Sequence, residues 1–376
     1  MSEFAAGPAG RIERVRALMV ERGYDAIVVR DEANLRWLTG VKGVFDYTFE
    51  FPHAAFITAD QCLFHTDSRY LNSFEENTSA GSPWVYDMDE GTIPGWVAGK
   101  IAANKCRVCA VEDDMQINFY QGIQRGLEDR SVACMLPLMH DDIRKMRAIK
   151  DAEEIELMRH AQSITDAAFQ HMLGFIKPGM TEKQVRNELE NFMFANGADS
   201  LAFGSIVASG PNTANPHAVP SDRVIEKGDF VLMDYGAGYC DYRSDMTRTV
   251  VMGEPTQEQL DLYALVRRAH EECVAAIHPG VEGNDIFKLS KKIIGDAGYG
   301  DYYNHGLGHG VGIDIHELPN FNRSKNTIEV GSVITMEPGV YLPGVGGVRL
   351  EDYGVVTENG YEPFTKTPHD LHIIDC

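Results

Sequence analysis

An α/β domain followed by an α+β domain is the architecture this sequence predicts, and three observations predict it. Through roughly the first 140 residues, short β-branched runs alternate with amphipathic helical runs, the pattern of layered α/β folds. Composition then shifts to the charge-dense stretch MHDDIRKMRAIKDAEEIELMRHAQ. Beyond it, long helices carry N-capping signatures, while the polar motifs fall on strands. The domains are expected at 1–142 and 143–376.

In order, residues 9–22 place Ile12, Val15, Leu18 and Met19 on one helical face, and Gly23 stops the helix. DAIVVR (25–30) reads as a strand, NLRWLTG (34–40) as a short helix, and AAFIT with CLFHT (54–66) as a hairpin. A helix from DSRYLNSF, one around 92–103, the strand RVCAVE, a helix near 117–127 and the strand VACMLPL complete the first domain. His53, His65 and His140 stand alone there. Cys106 and Cys109 form a lone CxxC with no second pair, so strand packing accounts for them.

In the second domain Asp151 with Glu154 forms a capping box for a helix to about Phe175. Thr181 with Gln184 and Thr256 with Gln259 repeat the signature, the first helix closing at Gly197 and the second ending before Pro279-Gly280. A fourth helix is expected over 284–297. Strands are expected around 311–316, 331–337 and 347–357, beside a hairpin over 230–251 whose turn holds Gly236 and Gly238.

Charge narrows the function. With 34 Lys and Arg against 56 Asp and Glu, the net charge is −22, which lacks the basic footprint that nucleic acid or an anionic membrane requires. No signal-peptide-like start and no 18-residue apolar run is visible. Seven cysteines at low density suit a reducing, cytoplasmic setting.

The chemistry centres on FVLMDYGAGYCDYRSDMTRTVV. A hairpin that brings Asp234 and Asp245 to one spot is costly unless a cation or a shared proton joins them. Downstream, His309 (HGLGHGVG), Glu337 (VITMEPGVY) and Glu351 (GGVRLED) are further candidate ligands. Two Asp, two Glu and one His are the donor inventory of a two-metal hydrolytic site. Strand parity supports it, because Asp245, Thr247 and Thr249 share one face, as do Arg349, Glu351 and Tyr353. The four glycines of HGLGHGVG imply a backbone packed close to something.

NTANPHA, LMDYGAGYCDYRSDMTRT, HGLGHGVGIDIHE, MEPGVY and GGVRLED, in that order, resemble the motifs of the pita-bread metallopeptidases: aminopeptidase P, Xaa-Pro dipeptidase (prolidase) and the methionine aminopeptidases. WLTG and TDSRY resemble the amino-terminal domain shared by aminopeptidase P, prolidase and creatinase. The resemblance implies that Asp234 binds one divalent metal, that Asp245 and Glu351 bridge two, and that His309 and Glu337 bind the other. Mn²⁺ is the first choice for so oxygen-rich a set, with Co²⁺, Fe²⁺ or Zn²⁺ possible. It further implies a metal-bridging hydroxide attacking the bond before proline, with Glu337 carrying the proton to the leaving nitrogen. His217 and His316 match histidines that orient substrate and stabilise the tetrahedral intermediate. His305, Tyr341 and Arg349 match the wall of the proline pocket, with hydrogen-bonding support of a ligand as the plainer alternative for each.

The implied partner is a peptide with proline second, and the implied assembly is a homodimer in which Trp37 and Phe45 help cover the partner's site. One departure stands out. Prolidases commonly carry Arg directly after HExP, but here HELP is followed by Asn320, with Arg323 three residues on. An amide cannot offer a guanidinium's charged fork to a dipeptide's carboxylate, which leaves room for longer peptides. Two other readings compete: a non-peptidase C–N hydrolase or lyase on the same fold (ectoine-hydrolase-like), and an inactive binding module. The lyase type adds an acid beside the first ligand, where Tyr235-Gly236 stands; inactive modules lose ligands, and none is lost here.

Overall fold

The computed structural model describes residues 7–42, 52–79, 81–88, 91–322 and 325–376. The chain divides into two compact units, Met1–Arg147 and Ala148–Cys376. The division therefore falls at the end of a short helix, Asp142–Ala148, rather than at its start as the charge-dense stretch implied.

The first unit runs α1 (Gly7–Arg22), β1 (Ala26–Val29), α2 (Glu32–Thr39), β2 (Ala54–Thr58), β3 (Cys62–His65), α3 (Leu71–Asn77), β4 (Val85–Asp87), α4 (Ile93–Ala103), β5 (Cys109–Val111), α5 (Ile117–Asp129) and α6, the helix at its end. The strands form one sheet, ordered β4-β3-β2-β1-β5, whose edge strands β4 and β5 pair parallel with their neighbours. VACMLPL does not form a strand; it makes only isolated bridges, Val108 to Met135 and Val111 to Leu138, because Pro137 lacks the donor a ladder needs. Cys106 and Cys109 pack in the core with their thiols pushed up by burial. Trp37 is only 1% exposed and lies beneath the Arg11 and Arg14 guanidinium groups, so it offers no surface to a partner. Phe45 lies outside the described residues.

The second unit begins with α7 (Ala152–Phe175) and α8 (Glu182–Ala195), each with the expected capping box, Asp151 with Glu154 and Thr181 with Gln184. There follow β6 (Ser200–Leu201), β7 (Ile206–Ser209), β8 (Phe230–Tyr235), β9 (Ala237–Tyr239), β10 (Tyr242–Arg243), β11 (Met246–Met252), α9 (Gln257–Ala275), capped by Thr256 with Gln259, and α10 (Gly283–Asp296). The chain ends with β12 (Gly308–Gly310), β13 (Glu317–Phe321), β14 (Val333–Met336), β15 (Gly339–Leu342), β16 (Gly346–Arg349), β17 (Asp352–Thr357), β18 (Gly360–Pro363) and β19 (Ile373–Ile374). One sheet is ordered β19-β11-β8-β7, a second β13-β12-β14-β17-β18, and β15 pairs with β16.

Period-two alternation decides what each strand shows to which side. On β8, Val231, Met233 and Tyr235 join the core under α7 and α8, and on β11, Met246, Val250 and Met252 do the same. Asp234 lies opposite Thr247 in that pair, on the other face. Beneath α9 and α10, Val266, Ile294, Val340 and Leu350 form one core, and Ile286, Leu307, Ile334 and Met336 another. Each helix layer takes the apolar face of its strands, so the polar faces are left for the site.

The hairpin of 230–251 has two tiers. Its inner tier is β8 with β11; its tip, β9 with β10, joins β6 in a separate sheet. The turn sits at Cys240 and Asp241, both at positive φ, not at Gly236 and Gly238. Gly236 is required elsewhere, because a Cβ there would overlap the Ser244 carbonyl. The expected strand at 311–316 is instead a bend between β12 and β13. Likewise the strand over 347–357 breaks at Leu350 and Glu351, which frees Glu351 from ladder geometry.

Candidate metal centre

Four segments bring carboxylates to one place. Asp234 comes from β8 and Asp245 from the residue before β11; Glu337 directly follows β14, and Glu351 occupies the break between β16 and β17. His309 is the middle residue of β12. Its glycine neighbours permit the approach: a Cβ on Gly308 would overlap the Thr335 carbonyl, and one on Gly310 the Leu318 carbonyl. All five side chains line one cavity of about 720 Å³, together with His217, His305, His316 and Arg349.

Ligand-type atoms of Asp245, His309 and Glu351 lie within 4.8 Å of one another. His309 Nδ1 donates to the Gly310 carbonyl at 3.0 Å. That fixes the tautomer, and Nε2 presents a lone pair 3.6 Å from Asp245 Oδ2 and 3.7 Å from Glu337 Oε1. Burial holds His309 down to about 4, so it is neutral. A lone pair facing carboxylate oxygens across such gaps calls for a cation between them.

The carboxylates say the same. Asp245 and Glu351 are pushed well above the usual carboxylate range, first by burial and then by neighbouring carboxylates. Glu337 rises to about 8, again through burial first. One guanidinium, Arg349, stands against these four acids. It donates to Asp234 Oδ2 at 2.6 Å, to Thr247 Oγ1 at 3.0 Å, to the Tyr341 hydroxyl at 2.9 Å and to the Pro216 carbonyl at 3.3 Å. Asp234 Oδ1 is buried with no hydrogen-bond partner, which is costly in a low-dielectric interior. Hard oxygens, one neutral imidazole and an orphaned carboxylate oxygen fit divalent metal.

The three residues that the resemblance matched to a pocket wall divide. His305 and Arg349 line the cavity, but Tyr341 does not. Tyr341 stands behind them, donating to His305 Nε2 at 2.9 Å while accepting from Arg349. His305 Nδ1 donates to the Gly306 carbonyl at 2.7 Å. Burial lowers His305 to about 3, so its 3.9 Å approach to Glu337 Oε2 is not an ion pair. His217 and His316 are exposed to the cavity, and the His316 ring packs edge-on at 4.4 Å against His309. Asn320 also lines the cavity; Arg323 lies outside the described residues.

Thr247 and Thr335 hydrogen-bond to the candidate ligands, and Thr335 did not stand out in the sequence. Thr247 Oγ1 donates to Glu351 Oε2 at 2.6 Å, and Thr335 Oγ1 accepts from the His309 amide at 3.0 Å. The period-two face of β11 marked Thr247, but nothing in the sequence tied it to a particular acid.

Sheets that deliver four carboxylates and an imidazole into one cleft define a metal-dependent hydrolase. Residues 156–358 match metallopeptidase family M24, and residues 11–149 match the creatinase/prolidase N-terminal domain. The chain belongs to family M24: it is a metallopeptidase with a creatinase-type amino-terminal domain and a pita-bread catalytic domain, and membership implies divalent metal. It is similar in structure to an Xaa-Pro dipeptidase from Bacillus anthracis, with a TM-score of 0.88 and 36% identity over 96% of this chain and 99% of that one. It is also similar to an X-Pro aminopeptidase from Thermotoga maritima, with a TM-score of 0.85 and 30% identity over 97% and 100% of the two chains. In sequence it is 37% identical to the uncharacterized peptidase YqhT of Bacillus subtilis, over 97% of this chain and 100% of that one.

Proposed function

We propose that this protein is a dinuclear-metal exopeptidase that hydrolyses the bond between a first residue and a following proline. The observation that carries the reading is the convergence of Asp234, Asp245, His309, Glu337 and Glu351 on one cavity. Asp234 would hold one ion, His309 and Glu337 the other, and Asp245 and Glu351 both. When bound, the ions supply Lewis acidity and a water acidic enough to react near neutral pH. Manganese suits the donor set best.

The protein's own groups do the rest. Glu337 moves the proton to the leaving proline nitrogen. His217 and His316, exposed to the cavity, orient the substrate and donate to the oxygen that gains charge at the carbonyl. Arg349 keeps Asp234 in place, and Tyr341 keeps both Arg349 and His305 in place. Phe203, Ile206, Val219 and Ile315 give the cavity an apolar wall suited to a proline ring. With an amide at Asn320, the site accepts Xaa-Pro-Xaa peptides as well as dipeptides.

Among the described residues no helix is long and apolar enough to cross a membrane. Seven cysteines in 376 residues is a low density, which supports a reducing cytoplasmic compartment. A homodimer is part of the same reading, and light scattering tests it. The function is tested by offering metal-reconstituted protein Ala-Pro, longer Xaa-Pro-Xaa peptides and a small cyclic amide, under Mn²⁺, Co²⁺, Fe²⁺ and Zn²⁺. Cleavage before proline is expected. Hydrolysis of the cyclic amide alone would replace the peptidase reading.

A further inference from the structure

One buried carboxylate belongs to none of the contacts above. Glu182, the first residue of α8, is 0% exposed. Its Oε1 accepts from the Ser209 amide at 2.7 Å, the Ser209 hydroxyl at 2.9 Å and Asn212 Nδ2 at 3.0 Å. Its Oε2 accepts from the Ser221 amide at 2.9 Å and the Ser221 hydroxyl at 2.6 Å. An ionised carboxylate is all acceptor, so five donors can converge on it without conflict.

Those five donors lie at the two ends of one loop. Ser209 closes β7, and Ser221 lies beyond the NPHA motif. Between them, Pro216, His217, Ala218 and Val219 line the cavity. The middle of the loop is tied to the opposite side, where Arg349 donates to the Pro216 carbonyl and the Gly347 amide donates to Thr213 Oγ1 at 2.7 Å. Arg349 also holds Asp234. The loop is thus strung between Glu182 and the metal-ligand support, with His217 at its exposed point.

We propose that Glu182 is a positioning residue: by binding Ser209, Asn212 and Ser221 together, its carboxylate sets where the loop presents His217 to the substrate. The proposal rests on the reading of His217 as a substrate-orienting group. Its chemistry is specific to a carboxylate. Glutamine would keep the length, but its amide nitrogen would face the N–H and O–H donors of either Ser209 or Ser221.

The test is a double-mutant cycle of Glu182→Gln and His217→Ala in Mn²⁺-loaded protein, read by kcat/KM on an Xaa-Pro peptide and by amide hydrogen exchange. Glu182→Gln is expected to lower kcat/KM on the order of 10- to 100-fold, the scale of a misplaced orienting group. Exchange over 209–221 should speed up while β8 and β11 stay protected. In the His217→Ala background, Glu182→Gln should cost roughly twofold or less, the ordinary spread between independent sites. An equal loss in both backgrounds, or unchanged exchange over the loop, overturns the proposal. If the wild type cleaves no Xaa-Pro peptide, the functional reading has failed, and exchange alone decides whether Glu182 holds the loop. Should Glu182→Gln fail to fold, Ser221→Ala, which deletes the hydroxyl's bond to Glu182 together with those it accepts from the Arg223 amide and Asn212 Nδ2, is expected to give the same pattern at smaller size.

Discussion

Stripping the metal should make this protein lose stability as pH rises from 6.5 to 8, and restoring it should cancel the loss. Glu337 is the group to follow, with an ordinary value of 4.5 and a folded value of about 8 in the absence of metal. An acid whose folded value is raised contributes its stability below the unfolded value and loses it as pH climbs through the folded one. Between pH 6.5 and 8 the folded chain keeps the Glu337 proton while the unfolded chain has already released it. The slope is about 1.4 kcal/mol per pH unit, so Glu337 alone costs roughly 2 kcal/mol across the window. Asp245 and Glu351 are raised too and steepen the fall.

The window avoids the buried histidines. His305 and His309 are lowered, so the stability they contribute is fully present above their unfolded value of 6.5. His369 is raised by Asp352 and loses its contribution in the same window, but it does so with or without metal. The quantity to measure is therefore the difference between chelator-treated and Mn²⁺-saturated protein, by calorimetry or denaturant unfolding at several pH values. For a unit of this size, 2 kcal/mol corresponds to about 4–8 °C in Tm. Glu337→Gln should remove about 2 kcal/mol of the apo slope. A difference curve that is flat from pH 6.5 to 8 would refute the reasoning, because the carboxylates would then not need the cations.

Arg349→Met breaks the buried pair with Asp234 and should cost the apo protein about 3–5 kcal/mol, with a smaller loss in Mn²⁺-saturated protein, by urea unfolding. Glu337→Ala should abolish peptide turnover while leaving the circular dichroism spectrum unchanged; retained turnover removes Glu337 from the proton path. His309→Ala should lower bound Mn²⁺ from two equivalents towards one by elemental analysis, since its Nε2 is the centre's only imidazole donor in this reading. Asn320→Arg should shift the kcat/KM ratio towards dipeptides by about tenfold, the scale of a hydrogen bond to a charged group; an unchanged ratio would place carboxylate recognition elsewhere.

What the sequence made legible was local or strictly periodic. The three capping boxes at Asp151, Thr181 and Thr256 are each written within four residues and formed as expected. Period two set the face of β11 that carries Thr247, which the structure pairs with Asp234. The misreadings share a cause in contacts between distant segments. Gly236 reads as a turn glycine, yet its role is to clear the Ser244 carbonyl, while the turn falls on Cys240 and Asp241. IDIHELP reads as a strand, but Asp314 to His316 bend ahead of β13. By resemblance Tyr341 matched either pocket wall or ligand support, and its bonds to His305 and from Arg349 are not written in the sequence around it. Glu182 resembles any acidic first-turn residue; nothing nearby in the sequence announces Ser209 and Ser221 as its partners.

Crystals grown with Mn²⁺ and measured at the manganese absorption edge test the central claim most directly. The account predicts two anomalous peaks in one cleft, the first against Asp234 and the second against His309 and Glu337, with Asp245 and Glu351 reaching both. No peak there, or manganese bound only away from the His309 imidazole, would contradict it.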